Sequence, residues 1–229
     1  MMKLYELAGQ QDNNLFSPYC WRIRMALAHK GLDASYIPCR FTEKELIRES
    51  GQKLVPVLQD GEKIMHDSWG IARYLEETYP ENPLFPGKSA VAQTLFFRHW
   101  VEGTLQPLIL PVIIMDIFNH IHEKDRDYFR ITREKRFGMP LEQREDKSPE
   151  QIERLATALS PVRAVFADND FLCGTQPGFA DYILFGAFQW ARGVSETKLL
   201  DQSDPVFQWR DRLLQLFDGM PLKTAGYPV

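Results

Sequence analysis

A chain of 229 residues that is 44% hydrophobic and 25% charged has enough apolar content to bury a sizeable core and shows none of the compositional marks of disorder. Its formal net charge of -4, with lysines and arginines scattered, excludes the basic stripe that a phosphate backbone requires, so nucleic acid is not an expected partner. Three cysteines, Cys20, Cys39 and Cys173, fit neither a disulfide framework nor a zinc-ligand pair and point to a reducing, cytoplasmic setting.

The opening "MMKLYELAG" carries a glutamate where a secretory signal needs its apolar segment and reads as a first strand. To about residue 80 the pattern alternates: "KLYELA", "SPYCWRIRMALAHKG", "ASYIPC", "FTEKELIRES", "VPVLQDGEKIMH" and "DSWGIARYLEETYP" give the order βαβαββα. In the first helix Ser17 is a natural cap, Pro18 suits the first turn and Gly31 the carboxyl-terminal cap. Asp60-Gly61 between two apolar runs predicts a hairpin. Asp67 or Ser68 begins the next helix, which must stop before Pro80.

The stretch "PENPLFPG" holds three prolines and a glycine in eight residues and predicts a stiff connector. The expected division is an α/β unit over 1–80, a linker over 81–88 and an all-α domain over 89–229. Beyond the linker, "AVAQTLFFRHWVEGTLQPLIL", "SPEQIERLATALSPVRAVFADN", "FADYILFGAFQWARGV" and "DPVFQWRDRLLQLFDG" all space apolar residues by three and four. The most apolar run, residues 105–118, is too short to span a bilayer and carries Pro107, Pro111 and Asp116, so a buried helix is expected and no membrane. "HEKDRDYFRITREKRFG", dense in both charge signs, reads as a solvated, salt-bridged segment. His120 and His122 stand two apart, which on a helix points them in different directions, so no metal site is expected.

Three separated motifs, "SPYCWRIRMAL" at 17–27, "LVPVLQDGEKIMHDSWGIARYL" at 54–75 and "GFADYILFGAFQWA" at 178–191, occur in the order and at the intervals of the soluble glutathione S-transferases, and the chain resembles that superfamily over nearly its whole length. The resemblance implies a thioredoxin-like amino-terminal domain followed by an all-α domain. Within the superfamily the chain is most similar to the bacterial glutathione-dependent β-etherase type and its fungal relatives, through "DRDYFRITREKRFG", "HDSWGIARYLEETYP" and "DPVFQWRDRLLQLFDG". Two departures stand out. Etherases of that type continue well beyond the last helix, whereas this sequence closes at "MPLKTAGYPV"; and the residue three before Asp181, commonly Ser or Thr as half of a capping box, is Gly178.

The resemblance implies glutathione as co-substrate, with no metal. Its thiol, near the cysteine reference of about 8.5, is mostly protonated at neutral pH. A hydroxyl at the start of a helix donates to the thiolate while the helix dipole favours the negative sulfur, and Ser17 occupies that place. Val55 and a cis-Pro56 would pair with the cysteinyl backbone, Asp67 and Ser68 would receive the γ-glutamyl group, and Lys53 the glycyl carboxylate. A small hydrophobic, aromatic second substrate is expected between the domains, with Tyr5, Phe16, Tyr19, Trp100, Met115 and Phe118 as candidate contacts. A homodimer is implied by resemblance alone. Two alternatives stay open: a thiol transferase that uses Cys20, and an aromatic carrier without turnover.

Overall fold

The computed structural model describes residues 1–228. The first part runs β1 (Met2–Leu7), α1 (Pro18–Lys30), β2 (Ala34–Cys39), β3 (Val57–Asp60), β4 (Lys63–His66) and α2 (Ser68–Thr78). The strands form one sheet in the order β2-β1-β3-β4, with β1 and β2 parallel and β3 antiparallel to both its neighbours. A parallel pair needs a crossover, and α1 supplies it. Pro38 cannot donate to a ladder and sits in the edge strand β2, where that loss is tolerated. This is the expected thioredoxin-like unit.

Two details differ from expectation. "FTEKELIRES" forms a 3-10 helix at Lys44–Ser50 instead of an α-helix, with non-helical backbone at Ile47, its one buried residue. One apolar anchor offers no stripe for an α-helix to bury. The hairpin turns on Gly61 and Glu62, not on Asp60 and Gly61: Asp60 pairs with Lys63 in the ladder and Gly61 has φ 59°. Asp60 is instead held by the Tyr74 and Tyr79 hydroxyls, which donate to its carboxylate at 2.8 and 2.5 Å and fix the end of β3 against α2.

The second part is helical: α3 (Ala90–Trp100), α4 (Gln106–His120), α5 (Arg126–Phe137), α6 (Leu141–Arg144), α7 (Pro149–Ala158), α8 (Ser160–Phe166), α9 (Phe179–Arg192) and α10 (Pro205–Lys223). A π turn at Val101–Leu105 joins α3 to α4 without a break, so the apolar run lies in a continuous helix of 31 residues, Ala90–His120. By length and composition this helix could cross a membrane, which corrects the expectation of a run too short to do so; half of its apolar window is buried inside the fold, as in a core helix. The last helix is interrupted at Leu216–Gly219, where Phe217, Asp218 and Gly219 have φ of 54, 56 and 69°.

α9 is buried along almost its whole length, its polar members Asp181, Gln189 and Arg192 included, as a central helix is. Its start explains the unexpected Gly178. A Cβ there would stand 2.6 Å from the Cys173 sulfur and 3.0 Å from the Leu84 carbonyl oxygen, so the serine side chain of a full capping box has no room. Asp181 completes the other half, accepting from the Gly178 amide at 3.0 Å, and also from the Leu172 amide and the Trp209 indole. The two parts of the chain meet where α1 packs on α9. Gly186 permits the approach, because a Cβ there would lie 2.3 Å from the Pro18 carbonyl oxygen. A second tie is the buried Asp125, which accepts from the Phe41 and Thr42 amides and the Thr42 hydroxyl at 2.6–2.9 Å.

Candidate functional site

Ser17 is the amino-terminal cap of α1. Its backbone is extended, and its oxygen accepts from the Cys20 amide at 3.3 Å. The residue is buried but lines a cavity of about 780 Å³ between the sheet domain and the helices. Its hydroxyl also reaches the Cys20 sulfur, a contact that lowers that thiol's pKa, so a stronger acceptor entering the cavity would compete with Cys20 for the proton. Cys20, one turn on, does not line that cavity; it is 3% exposed, and its thiol accepts from the Leu7 amide at 3.4 Å. Burial pushes that thiol up to about 12, where a thiolate is scarce at neutral pH.

Lys53, Val55, Pro56, Asp67 and Ser68 line the same cavity, as do Phe16 and Tyr19. The Val55-Pro56 peptide bond is cis. Asp67 caps α2 from φ 62°, a conformation that costs a non-glycine residue about 1–3 kcal/mol and persists only where surroundings hold it. Here its carboxylate accepts from the Gly70 amide and from Arg98 at 3.3 Å. Ser68 is buried, and its hydroxyl has no hydrogen-bond partner among the described residues, an arrangement that a ligand's polar group would relieve.

The other four candidates stand elsewhere. Tyr5 packs on Cys39, Ile47 and Val57 under the sheet. Trp100 packs at a tilt against Phe97 and lines a separate apolar cavity of about 610 Å³ between α3 and α8. Met115 packs on the core, and Phe118 lies against Phe129 beneath the Arg130 guanidinium. His120 is engaged by the Asp116 carbonyl and the Tyr227 hydroxyl. Among the described residues no group of three His, Cys, Asp or Glu side chains is placed to hold a metal ion.

Several cavity residues carry no motif and escape a linear reading. The π turn, a feature common at functional sites, brings Glu102 to the wall, where it receives Arg22 at 2.6 Å and Arg98 at 3.0 Å. Burial pushes the Glu102 carboxyl up, but Arg22 and then Arg98 outweigh it and hold the group below the ordinary 4.5. Arg98 thus bridges Glu102 to Asp67, tying the wall to the start of α2. Gln106 accepts from the Tyr19 hydroxyl at 3.1 Å. Arg133 and Arg136 of α5, Phe137 and Arg144 complete the far wall. Their segment is therefore more than a solvated charged stretch: one face of α5 is turned inward.

Residues 14–83 match the glutathione S-transferase N-terminal domain, and residues 92–215 the glutathione S-transferase C-terminal domain. Glutathione S-transferase Z1 of Arabidopsis thaliana is 43% identical over 88 residues, 34% of this chain and 40% of that protein. A glutathione S-transferase-like protein of Aspergillus flavus, ustS, is 31% identical over 144 residues, 56% of this chain and 50% of that one. The chain spans about half the length of the curated relatives it matches. Among solved structures, a glutathione S-transferase of Ceriporiopsis subvermispora in complex with glutathione is similar in fold, at TM-score 0.83 and 22% identity over 95% of this chain and 96% of that one. The domain matches at both ends and this fold place the chain in the glutathione S-transferase family.

Proposed function

We propose that the protein is a glutathione S-transferase in which Ser17 stabilises the glutathione thiolate for attack on a hydrophobic, aromatic electrophile. The observation that carries this reading is a capping hydroxyl at the amino end of α1 that lines a cavity large enough for two ligands. Lowering the thiol by one to two pH units takes about 1.4 to 2.7 kcal/mol, within reach of one charge-assisted hydrogen bond plus the helix dipole. In the reaction the glutathione thiol releases its proton to solvent and its sulfur forms a bond to carbon. The leaving group departs with the electron pair of the bond that breaks.

In this reading the backbone beside Pro56 pairs with the cysteinyl unit, Asp67 and Ser68 receive the γ-glutamyl end, and Lys53 meets the glycyl carboxylate. The unpartnered Ser68 hydroxyl supports that assignment. Phe16 and Tyr19, with the apolar wall of Leu110, Ile114 and Trp190, would take the second substrate. Cleavage of a β-aryl ether, with phenolate leaving, is the special case that the etherase resemblance favours. A cytoplasmic homodimer completes the proposal.

The test is turnover of an aryl halide with glutathione across pH, in the parent, Ser17→Ala and Cys20→Ser. Loss in Ser17→Ala alone supports the reading. Loss of mixed-disulfide exchange in Cys20→Ser would favour the thiol transferase, against which the burial of Cys20 speaks. Tight aromatic binding indifferent to glutathione would favour the carrier.

A further inference from the structure

The charges around the cavity do not balance. Three carboxylates line it, Glu43, Asp67 and Glu102, and each is paired with a cation that does not: Lys124 at 2.6 Å, Arg98 at 3.3 Å and Arg22 at 2.6 Å. On the α5–α6 wall Arg133, Arg136 and Arg144 have no such partner. The acids of their own segment are committed elsewhere, Glu134 and Glu142 to Arg130, Glu145 to Lys147 and Asp146 to Arg154. Among the described residues, none of the three arginines has a carboxylate within 4.0 Å.

Arg133 is also held in place. Its guanidinium lies 5.2 Å from the Phe41 ring centre and 4.8 Å from that of Phe129, and it donates to the Thr132 hydroxyl at 2.9 Å, with the Tyr128 hydroxyl as a further neutral partner. Burial pulls its pKa down, the Tyr128 hydroxyl opposes this in part, and the charge of Arg136 adds to the lowering. A partly desolvated guanidinium next to a like charge is costly unless an anion joins it. A second, independent orphan lies on the same cavity. Gln106 is 7% exposed, and its Nε2 has no acceptor although its Oε1 is used by Tyr19. Both observations call for ligand oxygens beside an apolar floor formed by Leu110, Ile114, Phe137 and Trp190.

We infer that the second substrate is an aromatic compound bearing a carboxylate, whose ring rests on that floor and whose carboxylate is received by Arg133 and Arg136 with Arg144 behind them. This deepens the transferase reading and rests on it. The planar fork of a guanidinium matches the two oxygens of a carboxylate, which a purely apolar pocket would reject.

The experiment compares 4-chloro-3,5-dinitrobenzoate with 1-chloro-2,6-dinitrobenzene, which differ only by the carboxylate, in the parent, Arg133→Gln, Arg133→Lys and Arg136→Gln. In the glutamine variants, kcat/KM for the benzoate is expected to fall about tenfold further than for the neutral halide, chiefly through KM. The gap should narrow at high salt, and Arg133→Lys should restore part of it. Arg136 is exposed, so that variant keeps the test meaningful should Arg133→Gln fail to fold. Equal losses for both halides, or a matching rise in the KM for glutathione, would overturn the inference. Should neither halide react in the parent, the transferase reading fails separately. Calorimetry with the unreactive 3,5-dinitrobenzoate then decides: arginine-dependent binding upholds the carboxylate site, and its absence overturns it.

Discussion

Ser17 caps α1 and lines the cavity, and its structural role and its proposed role toward the thiolate separate by magnitude. As a cap it contributes about 1 kcal/mol. As donor to a thiolate it resembles a single preorganised oxyanion contact, whose removal slows turnover on the order of 100-fold. Ser17→Ala is therefore expected to melt slightly lower while its kcat/KM drops far more, with the rising limb of its pH profile displaced upward by about one unit. A melting loss without a displaced pH limb would reduce Ser17 to a cap. Glu102 yields a prediction about stability. Its folded pKa lies below 4.5 because Arg22 and Arg98 outweigh burial, so its contribution is present above the unfolded value and disappears as pH falls through the folded one. Thermal melts of the parent should lose stability below about pH 4.5, while Glu102→Gln, already weakened by about 2 kcal/mol at neutral pH, should show a flatter acid limb. At this scale Ser17, Asp67 and Ser68 were legible because capping is local chemistry written in adjacent residues. Arg133 and Arg136 were not: nothing in "TREKRFG" says which charges meet a neighbour and which are left facing a cavity.

Between elements, the contact that places Ser17 is the approach of α9 to the first turn of α1. Replacing a mid-helix glycine by alanine ordinarily gains about 1 kcal/mol. At Gly186 the new methyl would meet the Pro18 carbonyl at 2.3 Å, a backbone atom that cannot swing aside, and overpacking of this kind costs about 1–3 kcal/mol. The clash wins, so Gly186→Ala is expected to lower the melting temperature and raise the KM for glutathione as α1 shifts; a higher melting temperature would contradict this account. The sequence showed α9 as a helix through its apolar spacing, and the βαβ order through alternation. It mistook the 3-10 segment for an α-helix because propensity cannot register that Ile47 alone is buried there. It placed the hairpin one residue early because register belongs to the ladder partner, here Lys63, and not to the turn dipeptide.

Across the whole molecule, the two parts behave as one through ties that are few and specific. Asp125 holds two amides and a hydroxyl of the loop after β2, and that loop carries Phe41 into the cavity wall. Asp125→Ala leaves those buried donors unpaired, at about 1–3 kcal/mol for each group left unsatisfied. The expected outcome is faster amide exchange at Phe41 and Thr42, with weaker second-substrate binding and an intact α1. Unchanged exchange at those two amides would show that the tie is incidental.

The π turn at Val101–Leu105 has a consequence for how the gene could change in length. Losing one residue from a regular α-helix turns everything beyond it by about 100° and draws it in by about 1.5 Å, which in the Ala90–His120 helix would swing Gln106, Leu110 and Ile114 off the cavity. A π turn already contains one residue more than an α turn. Gly103, whose Cβ position is open space, is therefore the place where a single-codon deletion is absorbed: the helix tightens locally and both flanking faces keep their aim. Such a deletion should leave a folded protein with its cavity, whereas the same deletion a turn to either side should not.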